Sequence, residues 1–111
     1  MEISVKELKR VDLIELTGRV DSNTAADLES AFEALTSKER FRIVVDMKGL
    51  EYVSSRGLRA LISTVKECRR WNRGDLVLVN VPDRVMSVLD MAGLTPLFKI
   101  FEDSVDAVGS L

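Results

Sequence analysis

Apolar and polar positions change period several times along the chain, and each change predicts an element. Met1 to Glu7 alternates weakly and Val11 to Thr17 (VDLIELT) alternates better, which predicts two short strands. Val11, Leu13 or Ile14, and Leu16 are expected on buried faces. The charged Lys9–Arg10 step between the runs reads as a hairpin turn, and Gly18 is expected to close the second run. From Ser22 the period lengthens: Leu28, Ala31, Phe32 and Leu35 recur at helical spacing, with Asp27, Glu29, Glu33 and Lys38 on the opposite face. This predicts an amphipathic helix ending near Thr36–Lys38. Ser22, Asn23 and Thr24 are each able to cap it, and Asp27 sits where the helix dipole favours a carboxylate.

Arg42 to Met47 (RIVVDM) has a continuous β-branched centre, the mark of a strand covered on both faces. Lys48–Gly49 is expected to turn the chain, and Leu50 to Val53 to carry it toward a second helix. There Leu58, Leu61, Ile62, Val65 and Cys68 form one stripe, with Arg59, Lys66, Arg70 and Arg73 opposite, and Asn72 to Gly74 is a stop signal. Asp75 to Val81 (DLVLVNV) reads as another buried strand. Pro82 suits the first turn of a short helix with Val85, Met86, Leu89 and Met91 facing inward. Ala92 to Pro96 connects to a last short strand, Leu97 to Phe101, and Asp103 to Leu111 predicts a final helical turn or two capped by Asp103 or Ser104. The order β-β-α-β-α-β-α-β-α predicts a single α/β domain over residues 1–111. Its sheet should be mixed but mostly parallel, with helices packed on it.

Composition narrows the function classes. With 111 residues, 46% hydrophobic and 31% charged, the chain has the makeup of one ordinary globular domain. A net charge of −2 argues against bulk attraction to nucleic acid or to an anionic membrane. The absence of histidine removes Ser–His–Asp and Cys–His nucleophile activation and histidine metal sites. The single cysteine, Cys68, falls on an apolar helical stripe, where a buried inert thiol is the expectation. The first residues carry Glu2, Lys6 and Glu7 without an apolar h-region, so no signal peptide is expected, and no uncharged run is long enough to span a bilayer. Cytoplasm is the expected setting.

In open α/β sheets, function concentrates where strands end and helices begin. Two such junctions stand out: Thr17 to Thr24 (TGRVDSNT) and Asp46 to Leu58 (DMKGLEYVSSRGL). Should the second and third strands be parallel neighbours, the two junctions meet on one edge. At the second, a helix start bearing Ser54, Ser55, Arg56 and Gly57 holds more than a cap requires. Exposed amides of such a turn favour an anion on a serine hydroxyl, Arg56 would add a donor, and Gly57 permits close approach. The passive reading stands beside it: Ser54 caps, Ser55 follows, and Gly57 relieves crowding against the sheet. Catalysis has less support. There is no G-x-S-x-G elbow, phosphate loop or dinucleotide fingerprint. Lys48 is the only lysine nearby to serve as a base, and an Asp21–Asp46 acid–base pair competes with turn and strand-end roles. An enzyme is not expected. The basic stripe on the second helix reads as a solvated face and Met86, Met91 and Leu94 as core packing.

These junctions, taken with the element order, resemble the STAS domain, and more narrowly the bacterial anti-sigma factor antagonists. The resemblance rests on Leu16-Thr17-Gly18-Arg19-Val20-Asp21, on Asp46-Met47-Lys48-Gly49-Leu50 followed by Val53-Ser54-Ser55-Arg56-Gly57-Leu58, and on Leu89-Asp90-Met91-Ala92-Gly93-Leu94. The family's switch motif usually reads Asp-Ser-Ser/Thr-Gly-Leu. Here Ser54 stands in the aspartate's place, Ser55 in the acceptor's and Arg56 in that of the following Ser/Thr, while Gly57 and Leu58 match. The resemblance implies a STAS-like fold, Ser55 as phosphoacceptor with Ser54 as the second candidate, and a partner surface of Asp21, Ser22, Asn23, Thr24, Ser54, Ser55, Arg56, Gly57 and Arg59. It implies an anti-sigma factor serine kinase as partner, a PP2C-type phosphatase that resets the switch, and no cofactor, metal, nucleic acid or membrane. The other readings are a passive STAS subunit of a signalling scaffold or lipid-transport complex, and a small-ligand binder or hydrolase using the space between the junctions.

Overall fold

Each β-branched run pairs with the next one in the chain, so the sheet grows outward strand by strand. The computed structural model describes residues 1–111. Its elements are β1 (Glu2–Glu7), β2 (Asp12–Val20), α1 (Ala25–Thr36), β3 (Arg42–Val53), α2 (Ser55–Arg69), β4 (Asp75–Val79), α3 (Asp83–Met91), β5 (Lys99–Phe101) and α4 (Ser104–Gly109). The five strands lie in the order β1-β2-β3-β4-β5, with β1 antiparallel to β2 and the others parallel. The three crossovers all step the same way along the sheet. Right-handed connections then place their helices on one face. There α1, α2 and α3 bury Leu28, Phe32, Leu61, Val65, Val85 and Leu89 against Ile14, Leu16, Ile43, Val45, Leu76 and Leu78. On the opposite face Ala107 of α4 packs on Val44, Val77 and Val79. β3 and β4 are thus covered twice, as their unbroken apolar runs require. No helix is long and apolar enough to cross a membrane.

Several expected boundaries move, each for a local reason. Gly18 does not close β2; at φ 95° it carries the strand on to Val20 through a register irregularity, in a conformation glycine adopts without strain. Lys48–Gly49 makes no turn, because β3 runs on to Val53 and the extra residue is taken up as a bulge between Glu15↔Asp46 and Thr17↔Gly49. β4 stops at Val79, where Asn80 enters the left-handed region at φ 53°. β5 starts only at Lys99, since Thr95–Leu97 forms a short 3-10 turn. Met91, expected inward, is 88% exposed. It lies two residues past the buried Leu89 and so points to the far side of α3. Met86 and Leu94 are half-buried.

Candidate functional site

β2 and β3 end together at the Val20↔Val53 pair, which brings the two junctions side by side. The contact is direct: the N–H of Ser54 donates to the carbonyl of Val20 at 2.7 Å. Ser54 is the N-cap of α2, with extended backbone, and its Oγ accepts from the Gly57 N–H at 3.2 Å. It is buried. Ser55, one residue on, is the first residue of α2 and is exposed. The two adjacent serines therefore have different surroundings. One hydroxyl closes the helix end inside the fold, and the other faces solvent beside the free amides of the first turn. No acidic residue lies in that turn to oppose an added anion.

Gly57 is where the crowding is relieved. A Cβ there would stand 2.8 Å from Val20 Cγ1 and 2.9 Å from Val53 Cγ2, so a hydrogen is all that fits between α2 and the strand ends. Arg56 reaches across to the first junction, with Nη1 donating to the Ser22 carbonyl at 3.2 Å and Nη2 to Glu29 Oε1 at 2.8 Å. The donor expected to serve an anion instead ties α2 to α1. Arg59, exposed and one turn after Ser55, shares its helix face.

Asp21 organises the other junction. Its Oδ1 accepts from the N–H groups of Asn23 and Thr24, both at 2.9 Å. The Thr24 hydroxyl accepts from the Asp21 N–H and donates to the Arg19 carbonyl or to Asp21 Oδ1. Those hydrogen bonds, that from the Thr24 backbone first, hold the Asp21 carboxyl below its ordinary value. Thr24 occupies the N-cap position of α1 without a side-chain cap bond, while Ser22 and Asn23 are exposed on the loop. Asp21, Ser22, Asn23 and Thr24 thus form one turn next to Ser54–Gly57.

The candidates for catalysis do not join them. Lys48 precedes the end of β3 by five residues, roughly 16 Å of extended chain. Asp46 pairs in register with Glu15, far along the strand from Asp21, and accepts from the Lys48 N–H and Asn80 Nδ2. Cys68 is fully buried, and burial first of all pushes its thiol up to about 12. One feature of the rim is not apparent in the sequence motifs: Arg19 stacks over the Tyr52 ring at 4.6 Å, and Tyr52 is 40% exposed beside the Val53–Ser54 step. The chain's one tyrosine, standing directly before the Val53–Ser54 step, is the signal that would have found it.

The fold and the sequence resemble those of known proteins. Residues 2–107 match the family model described as the STAS domain. The chain is 30% identical to a protein of Bordetella bronchiseptica provisionally named as the anti-sigma factor antagonist BtrV, over 90% of this chain and 85% of that one. It is 26% identical to the anti-sigma-B factor antagonist of Listeria monocytogenes, over 90% and 86%. Among solved structures, Bacillus SpoIIAA superposes with a TM-score of 0.81 in its unphosphorylated form, at 17% identity over 99% of this chain and 98% of that one. Its phosphorylated form gives 0.76 at 15% identity over 98% of each.

Proposed function

The chain belongs to the STAS domain family, and we propose that it acts there as an anti-sigma factor antagonist switched at Ser55. The unmodified protein binds an anti-sigma factor serine kinase through the face formed by Asp21–Thr24 with Ser55, Arg56 and Arg59; Ser54 and Gly57, expected on that surface, are buried and support it from beneath. The kinase, using its own nucleotide, transfers phosphate to the Ser55 hydroxyl, and the modified protein leaves. A PP2C-type phosphatase resets it. This chain supplies a surface and a hydroxyl, and the catalytic groups belong to its partners.

The observation that carries this reading is the contrast between Ser54, buried and used as a cap, and Ser55, exposed at the start of α2. The names of the Bordetella and Listeria relatives support the partner class. Phosphate adds about −1.5 to −2 charges at a helix N-terminus, where backbone amides and the nearby Arg59 accommodate it in the free protein. Its effect then falls on the interface, where a loss of roughly 3 to 4 kcal/mol lowers affinity by about a hundred- to a thousandfold.

A pull-down with the cognate kinase tests it, comparing wild type, Ser55→Ala and Ser55→Asp. Alanine should keep the partner and aspartate lose it, and mass spectrometry after incubation with kinase and ATP should place the phosphate on Ser55. Retention of the partner by all three forms, with no phosphate acquired, would make the protein a passive subunit instead.

A further inference from the structure

β1 is the outer strand of the sheet and pairs on one side only, with β2. In an antiparallel ladder alternate residues turn their N–H and C=O groups to the partner, and those between turn theirs away. β1 therefore presents an open row of donors and acceptors. Glu2, Ser4, Val5, Lys6 and Glu7 are exposed along it, Val5 at 42%. No other strand pairs with this edge, and an open edge is the kind of site that another strand joins.

The side chains select the strand. Outward groups meet only outward groups, so two copies of β1 pair antiparallel only in registers whose two-fold axis passes through a residue. An axis through Val5 sets Ile3 opposite Glu7 and Ser4 opposite Lys6. An axis through Ile3 leaves Lys6 and Glu7 beyond the overlap. An axis through Ser4 sets Glu2 opposite Lys6, Ile3 opposite Val5 and Ser4 opposite itself, and symmetry repeats each unlike pair. That register alone matches opposite charge with opposite charge and apolar with apolar. It covers the exposed Val5 with Ile3 of the second copy. Lys6, already 3.1 Å from Glu15 of its own chain, would then lie between that carboxylate and Glu2 of the other copy.

We propose that β1 is a self-recognition edge through which two copies of this chain associate about a two-fold axis at Ser4, joining their sheets. The contact is isologous and uses up the edge, so it closes at two copies. The opposite edge, β5, has three residues and offers no comparable row. A single strand pair is a small interface, of the weak and reversible class. None of Asp21–Thr24 or Ser54–Arg59 lies on β1, so the proposal stands independently of the switch at Ser55.

Charge reversal tests it on the full chain by sedimentation equilibrium, with far-UV spectra to establish that each variant is folded. Wild type should show reversible self-association that strengthens with concentration and weakens with salt. Glu2→Lys and Lys6→Glu should each lower it by about tenfold or more, since each places like charges opposite twice. Mixed together, Glu2→Lys and Lys6→Glu should associate, because every facing pair is then unlike. The doubly reversed chain, Glu2→Lys with Lys6→Glu, should recover wild-type association. Wild type that stays monomeric at millimolar concentration would overturn the proposal, as would self-association unchanged by Lys6→Glu or single variants that fail to associate on mixing.

Discussion

Ser54 donates its backbone N–H to the carbonyl of Val20 and accepts, through Oγ, the N–H of Gly57. It thus joins the end of β2 to the first turn of α2, while the hydroxyl next to it is left to solvent. This division of labour separates stability from signalling. Ser54→Ala removes the cap and should cost about 1 kcal/mol. Ser55→Ala should stay within about 0.5 kcal/mol of wild type. Urea unfolding of the two variants measures both, and a larger loss for Ser55→Ala would mean that Ser55 is a structural residue.

Gly57 is held by contact. An added Cβ meets the Val20 and Val53 methyls below 3.0 Å, which calls for a backbone shift of the kind that costs about 1–3 kcal/mol. The better helix propensity of alanine offsets up to about 1 kcal/mol of that. Gly57→Ala should therefore be destabilising on balance. In a Val20→Ala background the same change should cost less, because one of the two methyl clashes is gone. A double-mutant cycle by urea unfolding reads the coupling.

Phosphorylation of Ser55 should leave the fold in place. Overlaid backbone amide spectra of the two forms should differ around Ser54–Arg59 and the facing Asp21–Thr24 turn, and coincide over β4, β5 and α4. Widespread shifts would locate the switch in refolding and not in the interface.

The Cys68 thiol should be inert in the native protein. Its folded value is raised from 9.0 to about 12, so it stays neutral where the unfolded chain ionises. The linked stability is complete below pH 9.0 and is lost as pH rises toward about 12. Alkylation at pH 8 should be slow for native protein and rapid once it is unfolded in urea, with the mass increase of one label as the readout.

Much of this was readable along the chain. The strand over Arg42–Met47 and the helix stripe Leu58, Leu61, Ile62, Val65 and Cys68 follow from local period, and the structure keeps both. Asp21 closing a turn and Cys68 buried on the core face were readable from residue type and position. The misplaced features depend on a neighbour. Lys48–Gly49 has turn composition, yet pairing with β2 holds it straight, and the surplus residue becomes a bulge against Thr17. Arg56 looked like a free donor for an anion, and Glu29 and the Ser22 carbonyl on another segment engage it instead.

By itself, the amino-acid order determined which segments become strands and helices, and that two serines, an arginine and a glycine open the second helix. Those properties are carried by the spacing of apolar side chains and by cap chemistry within a few residues. Only the tertiary structure decided which serine is enclosed and which is presented, why no side chain fits at Gly57, and that β1 is left as an unpaired edge. Each of these depends on segments distant in the chain arriving side by side, and the backbone hydrogen bonds and methyl contacts that bring them together are not written in any one stretch of it.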